Sequence, residues 1–179
     1  MKILMITPYL PYPLHSGGQI RSYNLIKNLS QKHEITLLSF MKHIEPDYIS
    51  EMEKFCKKVH VIQRRKALSP KNIVLAALTP YPFLVAIYLS MSLKKKIKEE
   101  LAKVNYDLIH AETFYVMPNI PKTSVPILLV EQTIEYQVYA HFVHALKIPI
   151  FKPLFALDVA KIKYWEIFYW KKADKVVAM

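Results

Sequence analysis

The chain has 179 residues, of which 53% are hydrophobic, and it carries 25 Lys and Arg against 14 Asp and Glu. This length and composition supply the core of one domain and exclude a disordered protein. The net charge of +11 favours anionic partners such as phosphorylated molecules, nucleic acid or an acidic lipid surface, without choosing among them. The single cysteine, Cys56, excludes a disulfide framework and multi-cysteine zinc sites, and it is typical of a cytoplasmic protein.

Short apolar runs predict strands that are buried on both faces of a parallel sheet, at residues 2–7, 34–40, 59–63, 107–111, 127–131 and 175–179. Segments with helical spacing lie between them, at residues 20–30, 46–57, 84–104 and 151–172. This alternation predicts one Rossmann-like three-layer α/β/α domain with a mainly parallel sheet over residues 1–179. Ligand contacts are then expected in the loops beyond the carboxyl ends of the strands.

Two apolar segments call for a membrane or targeting interpretation, and neither fits it. The run at residues 3–6 stops at Pro8 without a cleavage site behind it, so it is not a signal peptide. The longer stretch at residues 73–91 is interrupted by Pro80 and Pro82. We therefore predict two shorter segments there, separated by a turn, and no transmembrane span.

The first loop holds the only two glycines of the chain, Gly17 and Gly18. So few glycines exclude the Walker phosphate loop and the three-glycine dinucleotide fingerprint. Ser16 and Gln19 have the spacing of a capping box, so free N–H groups and the positive end of a helix dipole should lie at this point. Because the two glycines lack Cβ atoms, we expect a phosphate or a sugar hydroxyl to come close; a tight turn without a ligand is the alternative.

Polar residues follow two later strands. His110 and Glu112 alternate along a strand, so both side chains point the same way, toward a cleft or toward one sheet face. For His110 the alternative is a hydrogen-bonded core histidine. Gln132 can position a hydroxyl but cannot take its proton at neutral pH, whereas the carboxylate of Glu131 could. Glu135 is a further candidate, with an exposed first-turn position of the next helix as the alternative.

Other charged and aromatic patterns have simpler interpretations. No Asp-x-Asp motif occurs, and His141 and His144 are interpreted as a surface pair, so no metal site is predicted. Lys95 with Glu99, and Lys96 with Glu100, predict a solvated helix face. The last helix has two apolar faces, of which one should cover the sheet and the other could pack on a further domain or lie on a membrane. The first face comprises Phe151, Phe155, Ile162 and Tyr169, and the second comprises Leu157, Tyr164 and Phe168, with Lys163, Lys171 and Lys172 nearby.

Residues 2–40 (KILMITPYLPYPLHSGGQIRSYNLIKNLSQKHEITLLSF) resemble the start of a glycosyltransferase family 4 enzyme, also called glycosyl transferase group 1. Those enzymes begin with a strand, a Pro-rich loop, a Gly-Gly pair, a short helix bearing an Arg and a His-Glu-Val-Thr-like entry to the second strand. Residues 33–36 (HEIT) are similar to that last element. YDLIHAE at 106–112, VEQTIEY at 130–136 and KADKVVA at 172–178 follow in the family's order, so the resemblance covers the whole chain.

The resemblance implies the acceptor-side, N-terminal half of a GT-B fold, in which a C-terminal domain absent from this chain holds most nucleotide-sugar contacts. It implies a retaining, metal-independent glycosyltransferase that uses a UDP- or GDP-sugar and a glycan, lipid-linked or phosphorylated acceptor, with no other cofactor. The chain alone is then expected to fold, to bind nucleotide sugars weakly and to transfer nothing. The implied substrate-binding residues are Gly17, Gly18, Gln19, Arg21, His110, Glu112 and Glu135, and the implied catalytic residues are Glu131 and Gln132.

Two of these positions depart from the family, which often has His where Glu112 stands and commonly has His where Gln132 stands. A non-catalytic Rossmann-like binding domain is therefore an alternative function. A basic nucleic-acid-binding module is another, but no RNP, zinc-finger or helix-turn-helix signature supports it, so no nucleic acid is expected as a partner. Peripheral contact with the inner face of a membrane remains compatible with the cytoplasmic location.

Overall fold

The computed structural model describes residues 1–147, 150 and 152–178. Its centre is a six-stranded sheet in the order β3-β2-β1-β4-β5-β6, in which every pair of neighbours is parallel. The strands are β1 (Lys2–Thr7), β2 (Glu34–Met41), β3 (Lys58–Gln63), β4 (Leu108–Glu112), β5 (Ile127–Glu131) and β6 (Lys175–Ala178). The predicted Rossmann-like three-layer α/β fold is confirmed.

Helices connect the strands and cover both faces of the sheet. They are α1 (Gly17–Leu29), α2 (Pro46–Glu53), α3 (Pro70–Leu78), α4 (Phe83–Tyr88), α5 (Met91–Lys103), α6 (Glu135–Ala145) and α7 (Lys152–Lys172), with a 3₁₀ helix at Phe114–Asn119. The sheet separates two hydrophobic clusters, and β1 contributes Leu4 and Ile6 to one and Met5 to the other. Because successive side chains of a strand point to opposite faces, a strand with two covered faces is apolar throughout.

Several helix boundaries differ from the predictions for local reasons. α1 begins at Gly17, before the predicted residue 20, because Ser16 caps it and accepts a hydrogen bond from the Gln19 N–H at 3.3 Å. The predicted helix 84–104 is two helices, because Ser90 caps a new helix and its Oγ accepts from the Leu93 N–H at 3.3 Å. The predicted ends at Phe151 and Met179 lie outside the described residues.

The apolar stretch around Pro80 and Pro82 is broken as predicted, since α3 ends at Leu78 and α4 begins at Phe83. Among the described helices, none combines the length and the hydropathy needed to cross a bilayer.

Two expectations about helix faces are wrong. Glu100 on α5 is buried rather than solvated, because Lys58 donates to it at 3.2 Å and Tyr106 at 2.9 Å. Phe155 was expected on the buried face of α7, but it is 41% exposed, whereas Ile162 and Tyr169 are buried. On α7 the predicted second face is exposed, comprising Leu157, Tyr164 and Phe168.

Candidate functional site

The site lies at the carboxyl edge of the sheet, between β1 and β4. From β1 near the centre of the sheet, β2 and β3 lie in turn on one side, and β4, β5 and β6 lie in turn on the other. Strand order therefore reverses between β1 and β4, which is where open α/β sheets bind ligands. α1 begins just beyond β1, and Glu112 is the last residue of β4. The glycine pair therefore lies at the carboxyl edge of a central strand.

Glu112 is the centre of a hydrogen-bonded network at this edge. Its side chain is fully buried, and Arg21 Nη1 donates to its two oxygens at 2.9 and 3.1 Å. His110 Nε2 lies 3.0 Å from Oε1, and Gln132 Nε2 donates to Oε2 at 2.8 Å. Side chains from α1, β4 and the end of β5 thus converge on one carboxylate, and Arg21, His110, Glu112 and Gln132 occupy one site.

The partners of Glu112 keep it ionised. Burial raises the pKa of this carboxyl, but the hydrogen bond and charge of His110, the charge of Arg21 and the hydrogen bond from Gln132 outweigh burial. Its pKa is therefore lower than that of an ordinary glutamate. The Arg21 side chain is 24% exposed whereas that of Glu112 is fully buried, so Arg21 is the member of this pair that reaches solvent.

The two glycines have different roles. A Cβ atom at Gly18 would lie 2.6 Å from Gln132 Oε1 and 3.2 Å from Tyr9 Cζ, with Tyr9 Oη closer still. Neither glycine has a positive φ, so Gly18 provides space for Tyr9 and Gln132 rather than an unusual backbone conformation. Gly17 is exposed, and no atom lies within 4 Å of its ideal Cβ position. The open approach expected for a ligand is therefore found at Gly17.

Tyr9 and Gln19 hold the first loop against this network. The Tyr9 Oη accepts from Gln132 Nε2 at 3.0 Å, and Gln19 Nε2 donates to the Leu10 carbonyl at 3.3 Å. Gln19 thus ties α1 to the loop. Sequence reasoning missed Tyr9, and the only available signal was an aromatic residue two positions beyond the end of a buried strand.

Glu131 belongs to a different cluster. It is buried at the end of β5, and Trp170 Nε1 donates to its Oε1 at 3.3 Å. Its Oε2 has no hydrogen-bond partner in the part of the chain that the structure describes. Burial and the nearby charge of Glu166 raise the pKa of Glu131 to about 8. Glu131 and Gln132 are consecutive, so their side chains leave the strand end on opposite sides, and only Gln132 joins the Glu112 network.

Glu135 begins α6 and is half-buried, so it does not have the exposed position given as the alternative to a site role. Its N–H donates to the buried Glu166 at 2.8 Å, and the N–H of Tyr136 donates to the same carboxylate at 3.0 Å. Glu166 on α7 thus caps the start of α6. Burial raises the pKa of Glu135, and Thr133 Oγ1 donates to its Oε1 at 3.0 Å.

Thr113 directly follows Glu112 and has a φ of 71°, the one positive φ of a non-glycine residue among those described. Such a conformation is strained for a β-branched residue and is retained where the surrounding structure holds it. The Thr113 N–H donates to the Val130 carbonyl at 2.8 Å. The strained residue lies directly beside the buried carboxylate.

Over residues 1–147, 150 and 152–178, no group of three or more His, Cys, Asp or Glu side chains has an arrangement that could hold a metal ion. His141 and His144 are both exposed on α6.

Comparison with known proteins is informative for the fold alone. No protein-family model matches the chain, and no curated protein matches it. UGT89C1 from Arabidopsis thaliana, a GT-B glycosyltransferase whose crystal structure contains UDP, has 11% identity and a TM-score of 0.50. The match covers 99% of this chain and 45% of that one. The fold is therefore like that of a GT-B glycosyltransferase domain.

Two further structures are less similar. The C-terminal domain of the PF1911 hydrogenase from Pyrococcus furiosus has 22% identity and a TM-score of 0.46, covering 72% of this chain and 89% of that one. The glycotransferase of kitacinnamycin has 14% identity and a TM-score of 0.43, covering 97% of this chain and 40% of that one.

Proposed function

We propose that this chain is the acceptor-side domain of a retaining, metal-independent glycosyltransferase of the family 4 type. The donor is a UDP- or GDP-sugar, and the acceptor is a glycan, lipid-linked or phosphorylated molecule. Support comes from the GT-B-like fold and from the ordered motifs between residues 2 and 178. A second domain across a cleft supplies most contacts to the nucleotide.

One observation carries the proposal: a partly exposed Arg21 is held by a buried carboxylate beside the open start of α1. The first N–H groups of a helix have no partner within it and favour an anion. Gly17 and Arg21 are four residues apart on α1, so they share one helix face. A phosphate or a sugar hydroxyl seated there meets backbone N–H groups and a guanidinium together.

The other residues have positioning roles in this proposal. Glu112 has no exposed surface, so it acts through Arg21 and Gln132 by fixing their orientation. Gln132 orients a hydroxyl and does not remove its proton, because an amide is not a base at neutral pH. Glu131 holds a proton below a pH of about 8 and lies in another cluster, so it is not the base of the Glu112 site.

We also propose that the α6–α7 surface contacts an anionic membrane. Large apolar side chains are exposed there next to exposed Lys163, Lys171 and Lys172, a combination that suits an acidic lipid interface. The apolar residues include Phe142, Leu154, Leu157, Tyr164 and Phe168. The fraction of protein that sediments with phosphatidylglycerol vesicles should fall when Leu157 and Phe168 are both changed to Ser. An unchanged fraction would contradict the membrane contact.

The test of transfer uses the complete protein as its own cell produces it. Release of UDP or GDP from the sugar nucleotides is measured with glycan, lipid-linked and phosphorylated acceptors, with and without EDTA. We expect release that EDTA does not reduce and a product with the anomeric configuration of the donor. Activity should fall at least about tenfold in the Arg21→Lys variant, because Arg21 contacts Glu112 through Nη1 and has further guanidinium nitrogens for a ligand, whereas lysine has a single ammonium group. The exposed Lys32→Ala is the matched control. No release with any acceptor, or unchanged activity in Arg21→Lys, would contradict the proposal.

A further inference from the structure

A second cleft lies at the same edge of the sheet, beyond β2 and β3. Its volume is about 580 Å³, and five of its lining residues are basic: Lys42, His43, Arg64, Arg65 and Lys66. Lys42 directly follows β2 and Arg64 directly follows β3, and the Arg64 N–H donates to the Met41 carbonyl at 2.7 Å. Ligand-binding clefts of small molecules commonly have volumes of about 300–1,000 Å³. The cleft therefore has the size for a small anion with an attached group.

The positive charge of this cleft is not neutralised within the described part of the protein. None of the five basic side chains forms a salt bridge there. Other basic residues at the strands do pair with carboxylates, as Lys57 does with Glu34 at 2.7 Å and Lys58 with Glu100 at 3.2 Å. Like charges concentrated in a concave surface attract counter-ions and favour an anionic ligand.

The loop that carries three of these residues is fixed by a buried amide. Asn72 has no exposed surface, and its Nδ2 donates to the carbonyls of Lys66 at 3.1 Å and Ala67 at 3.0 Å. Its Oδ1 accepts from Arg65 Nε at 2.9 Å. Arg65 Nη2 also donates to the carbonyls of Ala86 at 3.1 Å and Leu89 at 2.8 Å. The basic loop is thus held in one conformation before any ligand binds, which lowers the entropic cost of binding.

The two arginines are oriented and the lysines are free. Arg64 lies over the Tyr88 ring at 5.3 Å from its centroid, and Arg65 retains a terminal nitrogen, Nη1, that makes no hydrogen bond to the described residues. Lys42 and Lys66 are exposed. A fixed guanidinium and two exposed lysines that line the same cleft match a phosphate, which offers three acceptor oxygens and nearly two negative charges.

We propose that this cleft binds the phosphate group of a small phosphorylated molecule, through Lys42, Lys66 and the free side of Arg65. A single carboxylate would neutralise only a small part of the charge present, whereas a phosphate monoester or a diphosphate neutralises more. The proposal concerns binding alone and stands apart from the transfer reaction, so either can fail without the other.

Inorganic pyrophosphate is the first probe, titrated calorimetrically into the 179-residue chain at low salt. We expect saturable binding that weakens at least about tenfold in the double variant Lys42→Ala/Lys66→Ala, a change of about 1.4 kcal/mol. The control double variant Lys32→Ala/Lys103→Ala removes the same charge from exposed positions outside the cleft and should weaken binding less than about twofold. Because all four lysines are exposed, the variants should fold equally well, which circular dichroism checks.

Further arms identify the source of the phosphate. Glucose 6-phosphate represents soluble phosphate esters, and vesicles containing phosphatidic acid represent lipid phosphates; dependence of either on Lys42 and Lys66 supports the site. If pyrophosphate binding weakened equally in both double variants, the effect would be due to net charge alone and the proposal would be overturned. The proposal would also be overturned if acetate displaced pyrophosphate as strongly as phosphate does. The same holds if a single-stranded oligonucleotide were the only ligand that bound.

Discussion

The last residues of two neighbouring strands of this sheet are buried glutamates, and at neutral pH one is ionised while the other is protonated. Glu112 ends β4 and Glu131 ends β5. Burial raises the pKa of both carboxyls, but Glu112 has partners that favour its ionised form and Glu131 lies near the charge of Glu166. The pKa of Glu112 is lowered, whereas that of Glu131 is raised to about 8. The residue type and the strand end are the same, so partners from distant segments decide the chemistry.

This contrast also separates their roles. An ionised, fully buried Glu112 anchors an arginine side chain that is partly exposed, so it can prepare a binding surface without touching a ligand. A protonated Glu131 offers no charge at neutral pH and packs against α7 through Trp170. Variants at each cluster should therefore respond to pH in opposite directions.

The largest expected effect is on the pH dependence of stability, through Glu131→Gln. An unfolded glutamate has a pKa of about 4.5, so between that value and about 8 the folded state keeps a proton that the unfolded state loses. The stabilisation is complete below about 4.5 and is lost as the pH rises through about 8. From pH 5 to pH 8 the free energy of unfolding should fall by about 3–4 kcal/mol through this group, because each pH unit well between the two pKa values contributes about 1.36 kcal/mol.

In Glu131→Gln this fall should largely disappear, as urea unfolding at several pH values would show. A residual slope of the same sign is expected, because burial also raises the pKa of Glu135 and Glu166. Glu53→Gln, at an exposed position on α2, is the control. An unchanged slope in Glu131→Gln would show that Glu131 is ionised in the folded state.

The second-largest expected effect is the loss of stability in Arg21→Met, which removes a partner that favours ionised Glu112. Removing one member of a buried ion pair costs about 3–5 kcal/mol, and the exposure of Arg21 reduces this to about 2 kcal/mol here. The pKa of Glu112 is lowered, so this stabilisation is present above the unfolded pKa and is lost as the pH falls through the folded pKa. In urea unfolding, Arg21→Met should lose clearly more stability at pH 7 than at pH 3, because the loss shrinks as Glu112 takes up a proton.

A double-mutant cycle sharpens this result. In a Glu112→Gln background there is no buried carboxylate to leave unpaired, so Arg21→Met should cost much less. Equal costs in the two backgrounds would show that Arg21 stabilises the fold through packing rather than through Glu112.

The convergence at the carboxyl edge could be predicted from the sequence because topology alone produces it. Parallel strands share an edge, so residues after β1, β4 and β5 meet there once the alternation of strands and helices is recognised. The alternation of His110 and Glu112 along β4 also placed them on one side. The features that could be predicted are therefore those that depend on strand order and on the alternation of side chains along a strand.

The remaining contacts come from tertiary packing without a local signal. Glu166 lies inside a helix, and nothing near it in sequence indicates that it caps α6 about 30 residues earlier. Glu100 was expected to pair with Lys96 along α5, yet its actual partners include Lys58 on β3. In both cases a local helical pattern was overruled by a contact with a distant element.

A third effect tests the space beside Glu112, through Gly18→Ala. The added Cβ would overlap Tyr9 and Gln132, and such overpacking costs about 1–3 kcal/mol; we expect about 1.5 kcal/mol, because the Gln132 amide can move. Gly17→Ala is the matched control, since its Cβ would meet nothing within 4 Å and alanine favours the helix by about 0.5–1 kcal/mol. A Tyr9→Phe background should reduce the cost of Gly18→Ala. Loss of stability in both glycine variants would instead point to a backbone requirement.

The smallest effect concerns the side-chain hydrogen bond that favours ionised Glu131, and Trp170→Phe removes it. Trp170 Nε1 donates to Glu131 Oε1 at 3.3 Å, and this bond lowers a pKa that burial raises. Without it the folded-state pKa should rise further, so the free energy of unfolding keeps falling to a higher pH, with a change of about 1 kcal/mol. A smaller ring alone would lower the whole stability curve without moving that pH.

Trp165→Phe on the same helix makes the same change of ring, but its N–H donates to the Pro80 carbonyl at 2.8 Å, so it should lower the curve without moving it. A shift in both variants would assign the effect to packing of α7, and a shift in Trp170→Phe alone would assign it to the hydrogen bond with Glu131.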